Sequence, residues 1–206
     1  MMSTYSLFKG SVVLASLISL TGCQAFRASV VTRKPEEARP LTAKYDQSDL
    51  IAWGQIMSEA ILSHPFPPPG EDHPILVDMG IQNRTSSHID MKAISDTITT
   101  KLLESGKIRL VNASRRDDLL KEQGYQLANC TEETRVRIGK QLGARYMLTG
   151  SLVEITQKEL PQIRLSKQED TYYQLTVEIT DLETGLVVLR KQKDRLRSAR
   201  RPVVGW

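Results

Sequence analysis

The sequence predicts an α/β protein of the mixed α+β kind. A βαβ unit is followed by an antiparallel meander in one mixed sheet, with helices packed on it. Three observations carry this. A short apolar run, Pro74–Met79, and a second strand, Lys107–Val111, flank a helical stripe in so short a span that the strands are expected to run parallel. Tyr173, Leu175, Val177 and Ile179 alternate with Gln174, Thr176, Glu178 and Thr180, the pattern of a half-buried strand. Asp181-Leu182-Glu183-Thr184-Gly185 then reads as a tight turn, with Gly185 at the left-handed position, leading into a last strand from Leu186.

The chain opens with Lys9 and an apolar run from Val12 to Leu20. That run is shorter than the roughly 20 residues a membrane-spanning helix needs, and it has the length of a cleavable signal. Leu20-Thr21-Gly22-Cys23 at its edge resembles the bacterial lipobox, which implies cleavage before Cys23 and lipidation of its sulfur and amine. More than one acyl chain makes a stable anchor. Gln24, rather than an aspartate, follows the cysteine and favours the outer membrane. Residues 1–22 are thus expected to be a signal peptide, and 23–45 a lipidated cysteine and solvated tether containing Arg27, Arg33, Lys34, Glu36, Glu37 and Arg39. Residues 46–206 are expected to form one domain.

Of 28 basic residues only Lys9 is lost with the signal, leaving 27 against 24 acidic ones. So mild an excess, in such a compartment, points away from a nucleic-acid partner. With Cys23 lipidated, Cys130 is the remaining thiol, so no internal disulfide is available.

Asp46 caps a helix whose stripe is Leu50, Trp53, Met57 and Ile61, and Pro65 with Pro67-Pro68-Pro69-Gly70 ends it. After the first strand come Gly80 and the segment Ile81–Ser87, then a helix in which Ile94, Ile98 and Leu102 share a face, with Met91 and Leu103 beside it, and Gly106 as its stop. Ser114 with Asp117 is expected to cap a short helix ending near Gly124; Thr131 with Thr134 starts another, ending near Gly143. Ala144–Val153 reads as a third strand.

Catalysis finds little support in these residues. His64, His73 and His88 are scattered, and His88-x-Asp90 lacks a further ligand pair for a metal. No Gly-x-Ser-x-Gly elbow occurs, and Met79–Asn83 lacks the repeated glycines and Lys-Ser/Thr pair of a phosphate loop. No cofactor and no small-molecule substrate are expected.

Several features together resemble the LpoB family of penicillin-binding-protein activators. They are the lipobox, the apolar strand running into Asn83-Arg84-Thr85, and Ser105-Gly106-Lys107 before a strand. Leu142–Leu148, the Asp181–Gly185 turn and the ending Arg201-Pro202-Val203-Val204-Gly205-Trp206 complete the set. The resemblance implies a non-enzymatic outer-membrane lipoprotein facing the periplasm, whose partner is a bifunctional penicillin-binding protein, a peptidoglycan synthase of the inner membrane. The curli-secretion CsgG group also joins a lipobox to a small α/β domain. A channel former of that group needs alternating apolar strands, and 156–171 is too polar, which leaves an accessory role in secretion or fibre assembly as the alternative.

Partner-binding candidates each carry a second reading. Asn83, Arg84 and Thr85 sit where a strand hands over to a helix, a place for contacts but also for turn hydrogen bonds. Lys193, Arg195 and Arg197 lie in a basic last strand that suits an acidic partner, or that protects a sheet edge. Trp206 either anchors an interface or packs back on the domain.

Overall fold

The computed structural model describes residues 42–158 and 166–202, which all fall within the compact unit Pro35–Trp206. Helix α1, Gln47–Leu62, begins where expected. The Asp46 carboxylate accepts the Ser48 and Asp49 N–H groups while Asp49 reaches back to the Asp46 N–H, a reciprocal capping box. Trp53, Met57 and Ile61 are fully buried along the stripe, each stabilising by roughly 1.5–3 kcal/mol relative to exposure. Trp53 meets the Tyr173 ring edge-on at 5.8 Å, which ties α1 to the sheet.

Strand β1 (Ile75–Arg84), helix α2 (Met91–Glu104) and strand β2 (Arg109–Leu110) form the βαβ unit, with β1 and β2 parallel. Helices α3 (Ala113–Glu122) and α4 (Glu132–Gln141), joined through a 3₁₀ turn at Leu127–Asn129, lead into β3 (Tyr146–Lys158). The meander continues through β4 (Ser166–Asp181) and β5 (Val187–Pro202). The sheet order is β2-β1-β3-β4-β5, with β3 parallel to β1 and antiparallel to β4, and β4 antiparallel to β5. The mixed sheet, the βαβ unit and the meander match the fold expected from the sequence.

Two apolar clusters lie on opposite faces. Leu76, Leu148, Tyr173 and Val177 pack against α1 and α2 through Met57, Ile94 and Ile98. Val77, Met79 and Met147 pack against Leu120, Ile138 and Leu142 of α3 and α4.

Several boundaries depart from expectation. β1 does not stop at Met79 but runs to Arg84, so Asn83 and Arg84 are strand residues. The added ladder is supplied by β3, which extends to Lys158 instead of ending at Val153. β2 contains two residues, not five, because it pairs with β1 only at Ile75 and Leu76. β4 starts at Ser166, six residues before the alternation at Tyr172, since β3 and β5 satisfy its polar N-terminal end. Asn112, not Ser114, caps α3, its Oδ1 accepting the Ser114 N–H at 2.8 Å. Thr131 caps α4 as expected, and Cys130 is buried, with its thiol on the Gln126 carbonyl.

Candidate partner-binding cleft

The structure turns on Asp78-Met79-Gly80-Ile81. One Asp78 carboxylate oxygen accepts the Gly80 N–H at 2.8 Å and the other accepts the Ser95 hydroxyl at 2.5 Å, which holds an irregularity within the strand. Gly80 takes φ +80°, a conformation that costs a residue with a Cβ but not glycine. The register against β3 shifts between Asp78 and Ile81, a β-bulge. In an unbroken strand Met79 and Ile81 would share a face. Here Met79 joins the α3–α4 cluster and Ile81 the α1–α2 cluster.

Among the described residues, β1 beyond the bulge has a strand neighbour on one side only. β2 has ended, so no described strand pairs with the opposite edge of β1 past Leu76. The last carbonyl before the bulge, that of Asp78, accepts the Arg116 guanidinium. Arg116 also binds Asp117 at 2.9 Å and lies 3.8 Å from the Asp78 carboxylate, so it is held on three sides. It closes the ladder where β2 would otherwise continue.

Around this free edge lies a cleft of about 870 Å³, within the usual size of a binding site. Met79, Ile81, Leu120 and Leu127 give it an apolar floor; Lys92, from α2, and Lys121, from α3, stand on opposite walls. Its charged lining comprises five cations (Arg84, Lys92, Arg116, Lys121 and Arg135) against Asp78 and Asp117. Arg135 of α4 is only 5% exposed. Among the described residues its Nη2 makes one long hydrogen bond, 3.5 Å, to the Leu127 carbonyl, and its Nε has no partner. A buried donor left unmade costs about 1–3 kcal/mol, more when charged.

The motif at the end of β1 divides its roles. Asn83 Oδ1 accepts the Thr85 N–H at 3.0 Å, Asn83 Nδ2 donates to the Ser87 carbonyl at 2.9 Å, and Thr85 Oγ1 accepts the Ser87 N–H at 3.2 Å. Asn83 and Thr85 therefore knit the turn. Arg84 between them is exposed on the rim of the cleft.

A family model for the peptidoglycan-synthase activator LpoB matches residues 51–194, more than two thirds of the chain. The chain belongs to the LpoB family. Solved structures agree in fold. The LpoB C-terminal domain from Salmonella enterica superposes with a TM-score of 0.54 at 16% identity, covering 69% of this chain and 97% of that one. The corresponding Escherichia coli domain gives 0.52 at 18% identity, with the same two coverages of 69% and 97%. The NMR structure of E. coli LpoB gives 0.50 at 17%, covering 84% and 85%. Among curated protein sequences none matches at a significant level.

Within this LpoB-family chain the basic last strand behaves differently from the cleft. Arg197 donates to the Lys44 carbonyl and to Asp46 Oδ2, both at 2.9 Å, and to Asp49 Oδ1 at 3.0 Å. Arg195 also pairs with Asp49, which is 1% exposed. Burial raises the Asp46 carboxyl, but hydrogen bonds from Ser48 and Arg197 outweigh it and hold the group below its usual value. At Asp49 burial wins and the carboxyl is pushed up, against the Asp46 N–H and the two guanidiniums. These two arginines clamp the start of α1. Lys193 remains exposed, and Cys23 and Trp206 lie outside the described residues.

Arg116 and Arg135 were not singled out from the sequence. Their signal was there: Arg116 lies four residues before Leu120 and Arg135 three before Ile138, each on the buried stripe of its helix. Among the described residues no group of three His, Cys, Asp or Glu side chains could hold a metal ion.

Proposed function

We propose that this chain is an outer-membrane lipoprotein, anchored through Cys23, that binds a bifunctional penicillin-binding protein and activates its peptidoglycan synthesis. The observation that carries this reading is the family match over residues 51–194, joined to the lipobox Leu20–Cys23. The protein contributes no chemistry of its own. It binds the synthase's active conformation more tightly than the inactive one, and by that difference in affinity shifts the population toward activity. The tether of residues 24–45 sets an upper bound of about 75 Å on how far the anchored domain stands from its lipid anchor.

The processed lipoprotein in detergent, mixed with each bifunctional synthase of the source organism, should raise the rate of glycan polymerisation for at least one of them. Failure with all of them would refute the activator role. Fatty-acid labelling should disappear in Cys23→Ser; labelling that persists would refute the anchor.

A further inference from the structure

We infer that the cleft beside β1 receives an extended, acidic segment of the synthase, an inference that rests on the activator reading above. The segment adds as a strand to the free edge of β1 past the bulge and sets a carboxylate against Arg135.

The backbone argues for a strand. The Ile75 carbonyl accepts the Arg145 N–H on the β3 side, whereas the Leu76 carbonyl accepts the Val111 N–H on the β2 side. Along a strand these directions alternate, and the bulge places Ile81 and Asn83 opposite Gly150 and Leu152, in the phase of Leu76 opposite Tyr146. The N–H and C=O groups of Ile81 and Asn83 therefore face the unpaired side. Exposed ladder groups of this kind are the recognition element of strand addition, and only a peptide backbone matches their spacing.

Charge fixes the chemistry of the occupant. Five cations line the cleft against two carboxylates; Arg116 already engages both of those, and Lys92 pairs with Asp96 of its own helix. Arg135 is left buried, its Nε without a partner among the described residues. A side-chain carboxylate supplied from outside would complete it, whereas Arg195 and Arg197 on β5 already hold theirs. The apolar floor of Met79, Ile81 and Leu127 takes the segment's alternate side chains. Arg116 on the Asp78 carbonyl sets the start of the added strand, so pairing begins at Ile81.

The test uses the full-length lipoprotein in detergent with its purified cognate synthase. Amide hydrogen exchange at Ile81 and Asn83 should be fast in the lipoprotein alone and slow in the complex. Arg135→Gln should weaken binding about tenfold and Arg84→Glu several-fold, with Lys140→Glu, exposed and outside the cleft, at wild-type affinity as the control. Arg84 is exposed, so that variant remains informative even if Arg135→Gln folds poorly. A complex that forms with unchanged exchange at both amides, and with Arg84→Glu at wild-type affinity, overturns the cleft assignment and leaves the activator role standing. Absence of any complex overturns both. Slow exchange in the free chain that becomes fast on deleting residues 31–40 shows Glu36 and Glu37 of its own tether in the cleft, and overturns the inference as well.

Discussion

On β5, Arg195 and Arg197 are drawn inward onto Asp46 and Asp49 and fasten the first helix to the sheet. Beside β1, Arg135 is more deeply buried than either, yet among the described residues it finds a single long hydrogen bond to a carbonyl and no carboxylate. The two regions are built from the same side chain and differ in what it meets once the chain has folded. Removing one partner of a buried guanidinium–carboxylate pair is costly because it leaves the other charge uncompensated, whereas a guanidinium buried without a carboxylate has been desolvated with little returned by the described residues. The lesson is that cation density along a sequence does not locate a binding surface. What locates it is whether acids lie within reach once the chain has folded.

The largest test of this contrast is a pair of truncations with opposite signs. Arg197→Ala leaves Asp49 buried beside one guanidinium instead of two and removes the Asp46 contact; it should cost about 3 kcal/mol in urea unfolding. Arg135→Met removes an incompletely bonded buried cation and fills the space with an apolar chain. It should be neutral or stabilising by about 1 kcal/mol. Equal destabilisation by the two would erase the distinction between the regions.

A smaller effect isolates the bulge that opens the cleft. Gly80→Ala places a Cβ at φ +80° with Leu127 Cδ2 at 3.6 Å, an ordinary contact, so the strain is in the backbone alone. About 1–2 kcal/mol should be lost in thermal or urea unfolding. Synthase binding should weaken with it, because an unbulged strand would turn Ile81 toward the opposite face. An alanine variant as stable as wild type would show that the bulge is not held by its glycine.

These contrasts also explain what the sequence could disclose. The stripe Leu50, Trp53, Met57, Ile61 and the Thr131 cap are local patterns, and local physics decides them. The alternation of β4 was legible for the same reason: one face is buried under α1 and α2. The length of β1 was not, because the bulge breaks the period of two at the point where the strand reads as finished. The fate of Arg197 was hidden by distance, its carboxylate Asp49 lying 148 residues earlier. Arg116 and Arg135 resembled ordinary surface charges of polar helices until the sheet was placed against them. Of the motif Asn83-Arg84-Thr85, the turn-forming chemistry of the outer two was readable, but the position of Arg84 on a cleft rim depended on tertiary structure.

The finest discrimination comes from pH, through the clamp at α1. Asp46→Asn keeps an oxygen to accept the Ser48 N–H but gives up the charge that faces Arg197. The loss at pH 7 should be about 0.5–1 kcal/mol, as for a partly exposed pair. The folded protein holds the Asp46 carboxyl below its ordinary value of about 3.9. Its contribution is therefore whole above that value and vanishes as the pH falls through the lower folded one. Asp49 has the opposite sign. Its carboxyl is raised in the folded state, so descending through that raised value toward the ordinary one favours the folded protein. Urea unfolding of wild type and Asp46→Asn at pH 7, 5 and 2.5 separates the two groups. The gap between the proteins should hold from pH 7 to 5 and narrow at pH 2.5. A gap unchanged at pH 2.5 would mean that Asp46 acts through its shape and capping geometry, and that Arg197 draws its hold on α1 from Asp49 and the Lys44 carbonyl.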